Sequence, residues 1–214
     1  MGYAQAGFDE IVGVDIAPQP NYPFAFVRGD ALVFARPSAF LDDYDLIHAS
    51  PPCQEHVKLG TGRWGKKSAR WPDLIAPTRA LLESSGVPYV IENVVGAPLI
   101  DPLKLTGEMF GLTTSRPRLF ELGGWFAMSP PRMRRQENAV AVYGKPDGRR
   151  LWDRKDGSQL KAWGSIEEGA EAMGIDWMTD ELEIREAIPP AFTSYLGEQF
   201  LAQSAGSVVE GEGL

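Results

Sequence analysis

Short apolar runs alternate with longer amphipathic stretches along the first half of the chain. Five runs have the length and the content of β-branched and aromatic residues that are typical of strands, namely residues 11–15, 24–28, 45–50, 87–91 and 116–122. Residues 72–85 instead place apolar side chains at helical spacing, and Gly86 marks the end of that helix. Strands that alternate with helices predict an α/β fold built on a mostly parallel sheet with covered faces.

This alternation ends near Gly124. From residue 124 to residue 177, glycines, prolines, tryptophans and charges surround one strand candidate at 139–143 and one helix candidate at 166–173. We therefore predict four segments, which are a main domain, a small appended lobe, C-terminal helices that return to the main domain, and a disordered tail. Their bounds are residues 1–123, 124–177, 178–203 and 204–214.

Composition and charge predict the cellular compartment of the protein and exclude some classes of partner. The 214 residues carry a formal net charge of −8 and one cysteine. No apolar run approaches the roughly 20 residues of a membrane span, and the N-terminus lacks the pattern of a secretory signal. These features predict a soluble, cytoplasmic protein without disulfides that does not coat nucleic acid indiscriminately.

One segment departs from the acidic average. Residues 58–71 combine five cations with two tryptophans and three glycines. Cations contact phosphates, tryptophans stack on bases and glycines permit hinge motion, so the segment is a candidate nucleic-acid lid. A solvated surface loop is the alternative. The candidate contact residues are Lys58, Arg63, Trp64, Lys66, Lys67 and Arg70.

Chemically capable side chains end or directly follow four of the predicted strands. They are Asp15, Asp30, Cys53 and Glu92. Open parallel sheets bind ligands at the carboxyl ends of their strands. Asp15 is therefore a candidate to bind the ribose hydroxyls of a nucleotide, and Asp30 a candidate to contact an adenine amino group. Each aspartate could also cap a turn or a helix.

The single cysteine lies in an unusual local sequence. Pro51 and Pro52 precede Cys53 and fix the backbone where a strand ends. A thiol held rigidly at a strand-to-loop junction is a candidate nucleophile. The alternative is a small buried apolar side chain.

Three motifs resemble, in order, those of the DNA cytosine-5-methyltransferases. They are Ser50-Pro-Pro-Cys-Gln54, Ile91-Glu-Asn-Val94 and Arg116-Pro-Arg118. Further similarity lies in Gly13-Val-Asp15, Gly29-Asp-Ala-Leu32, Ala187-Ile-Pro-Pro190 and Gly197-Glu-Gln-Phe200. Any one of these motifs is weak evidence, but the ordered set is specific to that family.

The resemblance implies a fold and a mechanism. The fold would be a Rossmann-like, S-adenosylmethionine-dependent methyltransferase sheet, with residues 124–177 as the target-recognition lobe. Cys53 would attack carbon 6 of cytosine, Glu92 would act on ring nitrogen 3, and Arg118, supported by Arg116, would hold the carbonyl oxygen. Carbon 5 would then receive the methyl group.

The resemblance also implies partners. S-adenosylmethionine, without a metal, would be contacted by Asp15, Ile16, Asp30, Ala31 and Pro52. The partner would be double-stranded DNA with the target cytosine flipped out of the stack. Gln54 would contact that DNA, and the loop at 55–71 would close over the base. The enzyme would be a monomer of the restriction-modification type in a bacterial or phage-infected cell.

The chain departs from the family pattern at its start, because Met1 falls just past the position of the family's Gly-rich cofactor turn. Two further departures are Glu55-His-Val57 in the loop and Arg185-Glu186 before the C-terminal motif. Three other interpretations therefore stay open. They are a catalytically impaired homologue that binds DNA, a tRNA cytosine-5-methyltransferase, and an unrelated α/β protein with a structural cysteine.

Overall fold

A computed structural model describes residues 1–34, 41–52, 72–131, 139–153, 157 and 159–209. The prediction of a mixed α/β protein is confirmed. The helices are α1 (Gly2–Ala6), α2 (Ala31–Phe34), α3 (Ile75–Ser85), α4 (Ile166–Met173), α5 (Glu181–Glu186) and α6 (Pro190–Val209). The strands are β1 (Val12–Asp15), β2 (Ala25–Arg28), β3 (Ile47–Ala49), β4 (Tyr89–Val94), β5 (Leu103–Leu105), β6 (Arg118–Gly123), β7 (Ala139–Ala141), β8 (Leu151–Asp153) and β9 (Gln159–Ala162).

The chain divides into two compact units. The central unit comprises residues 12–104 and 118–128, and the terminal unit comprises residues 1–11, 105–117 and 129–214. The division differs from the predicted segments, because residues 129–177 belong to the same unit as α1, α5 and α6. The appended lobe is therefore part of a larger unit that includes both ends of the chain.

Two sheets form the central unit. Strands β1 and β2 make a parallel pair, and a four-stranded sheet has the order β3-β4-β6-β5. Strand β3 is parallel to β4, whereas β6 is antiparallel to β4. The expectation of a mostly parallel sheet is corrected at β6. Its connection from β4 contains a short strand and a 3₁₀ turn but no α-helical crossover, which a parallel connection ordinarily uses.

One face of the four-stranded sheet carries the apolar core of the central unit. Leu82 of α3 packs with Tyr89 and Ile91 of β4, and Ile47 and Ala49 of β3 join the same cluster. Because side chains alternate along a strand, His48, Val90 and Glu92 point to the opposite face. We call these the α3 face and the His48 face of the sheet.

The terminal unit contains the three-stranded sheet β7-β9-β8 and the helices α1, α4, α5 and α6. Val140 and Val142 pack with Trp163, Met173 and other side chains in a buried cluster. Ser165 caps α4 by accepting a hydrogen bond from the Glu168 amide, and Asp180 caps α5 in the same way. Both helices begin close to the residues that the sequence predicts.

Two features of the terminal unit differ from expectation. Strands β8 and β9 complete a sheet for which the sequence offers only one strand candidate. Helix α6 runs to Val209, so residues 204–209 are helical and not part of a disordered tail. At the start of this extension, the Ser204 hydroxyl donates to the Phe200 carbonyl oxygen one turn earlier at 3.2 Å. Among the described residues, no helix is both long and apolar enough to cross a membrane.

Candidate functional site

Glu92 and Arg118 come together on the His48 face of the sheet. In the antiparallel pairing of β4 with β6, Val94 lies opposite Arg118 and Glu92 lies opposite Phe120. Glu92 and Arg118 are therefore diagonal neighbours on one face. The Arg118 Nε atom lies 3.0 Å from the Glu92 Oε1 atom, and their side chains are only 15% and 10% exposed. The register thus builds a largely buried acid–base pair from two residues that the sequence predicts to act on one ring.

His48 shares this face. Its ring makes an edge contact with Phe120, at a centroid separation of 6.4 Å, and its Nε2 atom lies 3.3 Å from the Ser50 hydroxyl. Desolvation by burial lowers the pKa of His48 to about 4. His48 is therefore neutral at neutral pH and adds no charge to this face of the sheet. The sequence places His48 in a strand, as found here.

Asn93 fixes the segment that leads to the cysteine. Its Nδ2 atom donates to the Pro51 carbonyl oxygen at 3.0 Å, and its own Oδ1 atom accepts from the Val94 amide at 2.9 Å. Asn93 is 1% exposed. The bond joins the residue after Glu92 to the two-proline segment that immediately precedes Cys53 in the sequence. Asn93 belongs to the Ile91-Glu-Asn-Val94 motif, but it is not among the site residues predicted from the sequence.

Two aspartates occupy neighbouring positions at the carboxyl ends of β1 and β2. Asp15 ends β1, where its Oδ1 atom accepts from the Ala17 amide at 2.7 Å and its Oδ2 atom from the Gln19 side chain at 3.3 Å. Asp30 follows β2, and its Oδ1 atom accepts from the Leu32 amide at 2.9 Å. Each carboxylate thus organises its own turn, as the capping interpretation requires.

An exposed apolar side chain accompanies these carboxylates. Ile16, directly after Asp15, is 71% exposed. Ala31, directly after Asp30, is also exposed. Carboxylates that accept from hydroxyls or an amino group, together with an apolar surface for a flat ring, fit the adenosine part of a nucleotide-like cofactor.

Arg116 has different surroundings from Arg118. It lies in the terminal unit and adopts a positive φ of 34°, which is uncommon for a residue with a side chain. Its guanidinium donates to the carbonyl oxygens of Val142 at 2.6 Å, Ala187 at 2.7 Å and Arg185. These bonds join the end of β7 to the end of α5. The structure therefore brings Arg118 to Glu92 and directs the Arg116 guanidinium to backbone carbonyls.

A second glutamate–arginine pair lies on the α3 face, and the sequence patterns do not indicate it. Arg79 of α3 donates to both carboxylate oxygens of Glu121, from Nε at 2.5 Å and from Nη2 at 2.7 Å. The Ile100 amide also donates to Glu121 Oε2 at 2.7 Å. Hydrogen bonding to Glu121 raises the pKa of Arg79. This pair ties helix α3 and the segment at Ile100 to the sheet.

Several predicted site residues lie outside the described part of the chain. They are Cys53, Gln54, Lys58, Arg63, Trp64, Lys66, Lys67 and Arg70. Pro52 is the last described residue before them and is exposed. Within the described residues, no group of three or more His, Cys, Asp or Glu side chains is placed to hold a metal ion.

No protein-family model matches the chain, and no curated protein is similar to it.

Proposed function

We propose that this chain is an S-adenosylmethionine-dependent methyltransferase. Its substrate is cytosine in DNA, and the methyl group goes to carbon 5 of the ring. The observation that carries the proposal is the largely buried Glu92–Arg118 pair, 3.0 Å apart. Glu92 directly precedes Asn93, whose side chain holds the segment that leads into Cys53. A thiol, an acid and a guanidinium, which follow one another in this order along the chain, are the groups that activation of a cytosine ring requires.

Each of these side chains has a defined task in the proposed reaction. The Cys53 thiolate adds to carbon 6, forming a carbon–sulfur bond, while the Glu92 carboxyl donates a proton to ring nitrogen 3. The electrons released onto carbon 5 make that carbon nucleophilic. The Arg118 guanidinium binds the ring carbonyl oxygen, where negative charge develops. After methyl transfer, carbon 5 loses its proton to solvent water, the carbon–sulfur bond breaks to return the thiolate, and ring nitrogen 3 gives its proton back to Glu92.

The cofactor would be held at the ends of β1 and β2. Asp15 accepts from the ribose hydroxyls, Asp30 accepts from the adenine amino group, and Ile16 packs against the adenine ring. S-adenosylmethionine, when bound, supplies an electrophilic methyl group. The local turns at Asp15 and Asp30 hold the two carboxylates in fixed orientations.

Methylation and binding assays test the proposal. We expect the purified chain to bind S-adenosylmethionine in calorimetry and to transfer a labelled methyl group to duplex DNA, with 5-methylcytosine as the product. Cys53→Ser should abolish transfer and leave DNA binding largely unchanged. Absence of cofactor binding, or full methylation by Cys53→Ser, would contradict the proposal. Methylation of tRNA in place of duplex DNA would redirect it to the tRNA-modifying branch.

A further inference from the structure

The loop between β7 and β8 presents two aromatic rings at its base. Tyr143 follows β7 and Trp152 lies in β8, and their ring centroids are 5.4 Å apart with planes inclined by 41°. Tyr143 is 41% exposed. Trp152 is half-buried, so the pair offers a partly open aromatic surface at the edge of the terminal unit's sheet.

The strand register places both rings on the side of this sheet opposite Val140 and Val142. Ala141 pairs with Ala162 and Trp152 pairs with Leu160, so Trp152 and Ala141 point to the same side. Tyr143, two residues after Ala141, continues that side. The opposite side carries Val140 and Val142, which pack into the buried cluster. The aromatic pair is therefore not part of the cluster around Val140 and Val142, and although Ala141 and Ala162 on its own side are buried, Tyr143 remains 41% exposed.

Buried Trp163 holds the loop at residues 144–150 in place. The Trp163 carbonyl oxygen accepts from the amides of Asp147 and Gly148 at 2.9 and 3.0 Å. Its indole Nε1 atom donates to the Gly144 carbonyl oxygen at 3.2 Å. Gly148 has a φ of 58°, and a Cβ there would lie 3.1 Å from Gly164. A fixed loop loses little conformational entropy when it binds a ligand.

The same loop carries a local positive charge in an acidic protein. It contains Lys145, Arg149 and Arg150 but one carboxylate, Asp147. Arg150 is paired with Asp147, at 3.0 Å from Nε to Oδ2. Within the described part of the chain, Lys145 and Arg149 are exposed and make no ion pair. Two cations beside an aromatic pair provide phosphate contacts and a stacking surface together.

We propose that this surface, formed by Tyr143, Lys145, Arg149 and Trp152, binds a nucleic-acid strand. Lys145 and Arg149 contact consecutive phosphates, and an unpaired base stacks on the Tyr143–Trp152 pair. A base within a duplex has no free face for such stacking, so the surface favours single-stranded segments over an intact duplex. This binding requires no methyl transfer, and it goes beyond the proposed function of the central unit.

Fluorescence anisotropy with labelled oligothymidylate, without S-adenosylmethionine, tests the charge contribution. We expect Lys145→Gln to flatten the dependence of log K on log salt by about 0.7, the contribution of one single-strand phosphate. Lys104→Gln makes the same charge change at an exposed position of the central unit and should leave the slope unchanged. Equal slopes for the two variants would overturn the proposal.

A second pair of variants tests stacking. Trp152→Ala should weaken binding about tenfold, whereas Trp152→Phe should keep most of it. Leu151→Ala removes an adjacent side chain that is 59% exposed and points to the other face of β8, so it should bind like the wild type. Thermal melting of each variant verifies that it is folded. Unchanged binding by folded Trp152→Ala, or tighter binding of an intact duplex than of the single strand, would contradict the proposal.

Two further probes separate the outcomes. Oligouridylate in the same assay distinguishes RNA from DNA as the source of the strand. Phe126→Ala removes an exposed aromatic ring of the central unit and should bind oligothymidylate as the wild type does, because the proposed surface belongs to the other unit. A chain that binds oligothymidylate through Trp152 but transfers no methyl group would refute the proposed function and leave this inference standing.

Discussion

The two faces of the central sheet each carry a glutamate–arginine pair, but the pairs are built differently. On the α3 face, Glu121 receives two hydrogen bonds from Arg79 and one from the Ile100 amide, all between 2.5 and 2.7 Å. On the His48 face, Arg118 meets Glu92 through Nε at 3.0 Å. Arg79 belongs to a helix, whereas Arg118 belongs to the neighbouring strand.

This difference separates a structural pair from a candidate catalytic one. The Glu121 carboxylate joins a sheet, a helix and a loop through short, two-pronged bonds, which are the strong geometry for this pair of groups. The Glu92–Arg118 pair joins two adjacent strands, and Glu92 directly precedes Asn93, whose side chain holds the segment before Cys53. Residue type and burial alone do not distinguish the two; the elements that each pair connects do.

The largest expected effect is on the rate of methyl transfer. Glu92→Gln removes the carboxyl that would donate to ring nitrogen 3, and we expect the single-turnover rate to fall by about 10² to 10⁴. The amide retains a hydrogen-bond partner for Arg118, so the melting temperature should change less than it does in Glu121→Gln. Rapid-quench assays with labelled S-adenosylmethionine measure the rate. An undiminished rate in Glu92→Gln would remove the functional distinction between the faces.

Glu121→Gln should act on stability. It leaves the mostly buried Arg79 guanidinium without its carboxylate, and breaking a buried ion pair from one side costs about 3–5 kcal/mol. We expect that loss in the free energy of unfolding, measured by urea denaturation. At a temperature where the variant is folded, its methyl-transfer rate should stay near that of the wild type. A stable Glu121→Gln variant would show that the α3-face pair is not structural.

The sequence predicts the strand ends and the identity of Glu92 and Arg118, but not which arginine meets which glutamate. The Arg-Pro-Arg pattern suggests one strand that holds both Arg116 and Arg118. The positive φ at Arg116 breaks this alternation, and β6 begins only at Arg118. Arg116 then donates to carbonyls of the terminal unit. Such partners depend on tertiary packing, which no local pattern encodes.

The Arg79–Glu121 pair on the α3 face and the three-stranded sheet of the terminal unit are likewise not predictable from local sequence patterns. Arg79 and Glu121 are 42 positions apart, and neither position breaks the pattern of its own element. Strands β8 and β9 are three and four residues long, and they mix charges with apolar residues. Strands this short have no readable period. Long apolar runs and helix caps are predictable from sequence, whereas contacts across elements require the fold.

His48 makes the stability of the folded protein depend on pH. Its folded pKa of about 4 lies below the unfolded value of 6.5. The unfolded chain therefore takes up the proton first as the pH falls, and stability is lost between about pH 6.5 and 4. The loss attributable to this ring is at most about 3–4 kcal/mol. Urea denaturation across this range measures it, with His48→Phe as the control. If both proteins lose the same stability, His48 does not titrate as described.

The smallest expected effect is that of Asn93→Ala, which removes the hydrogen bond from β4 to the Pro51 carbonyl oxygen. Loss of this buried hydrogen bond should lower the free energy of unfolding by about 1–2 kcal/mol, because the Pro51 carbonyl oxygen loses its donor. If the segment before Cys53 depends on that bond for its position, methyl transfer should also slow, by more than the small loss of folded protein explains. Thr78→Ala serves as the control, since it also removes a buried polar group but lies on α3. A loss of stability without a loss of rate would place Asn93 with Glu121, as a residue that holds the sheet together without supporting its chemistry.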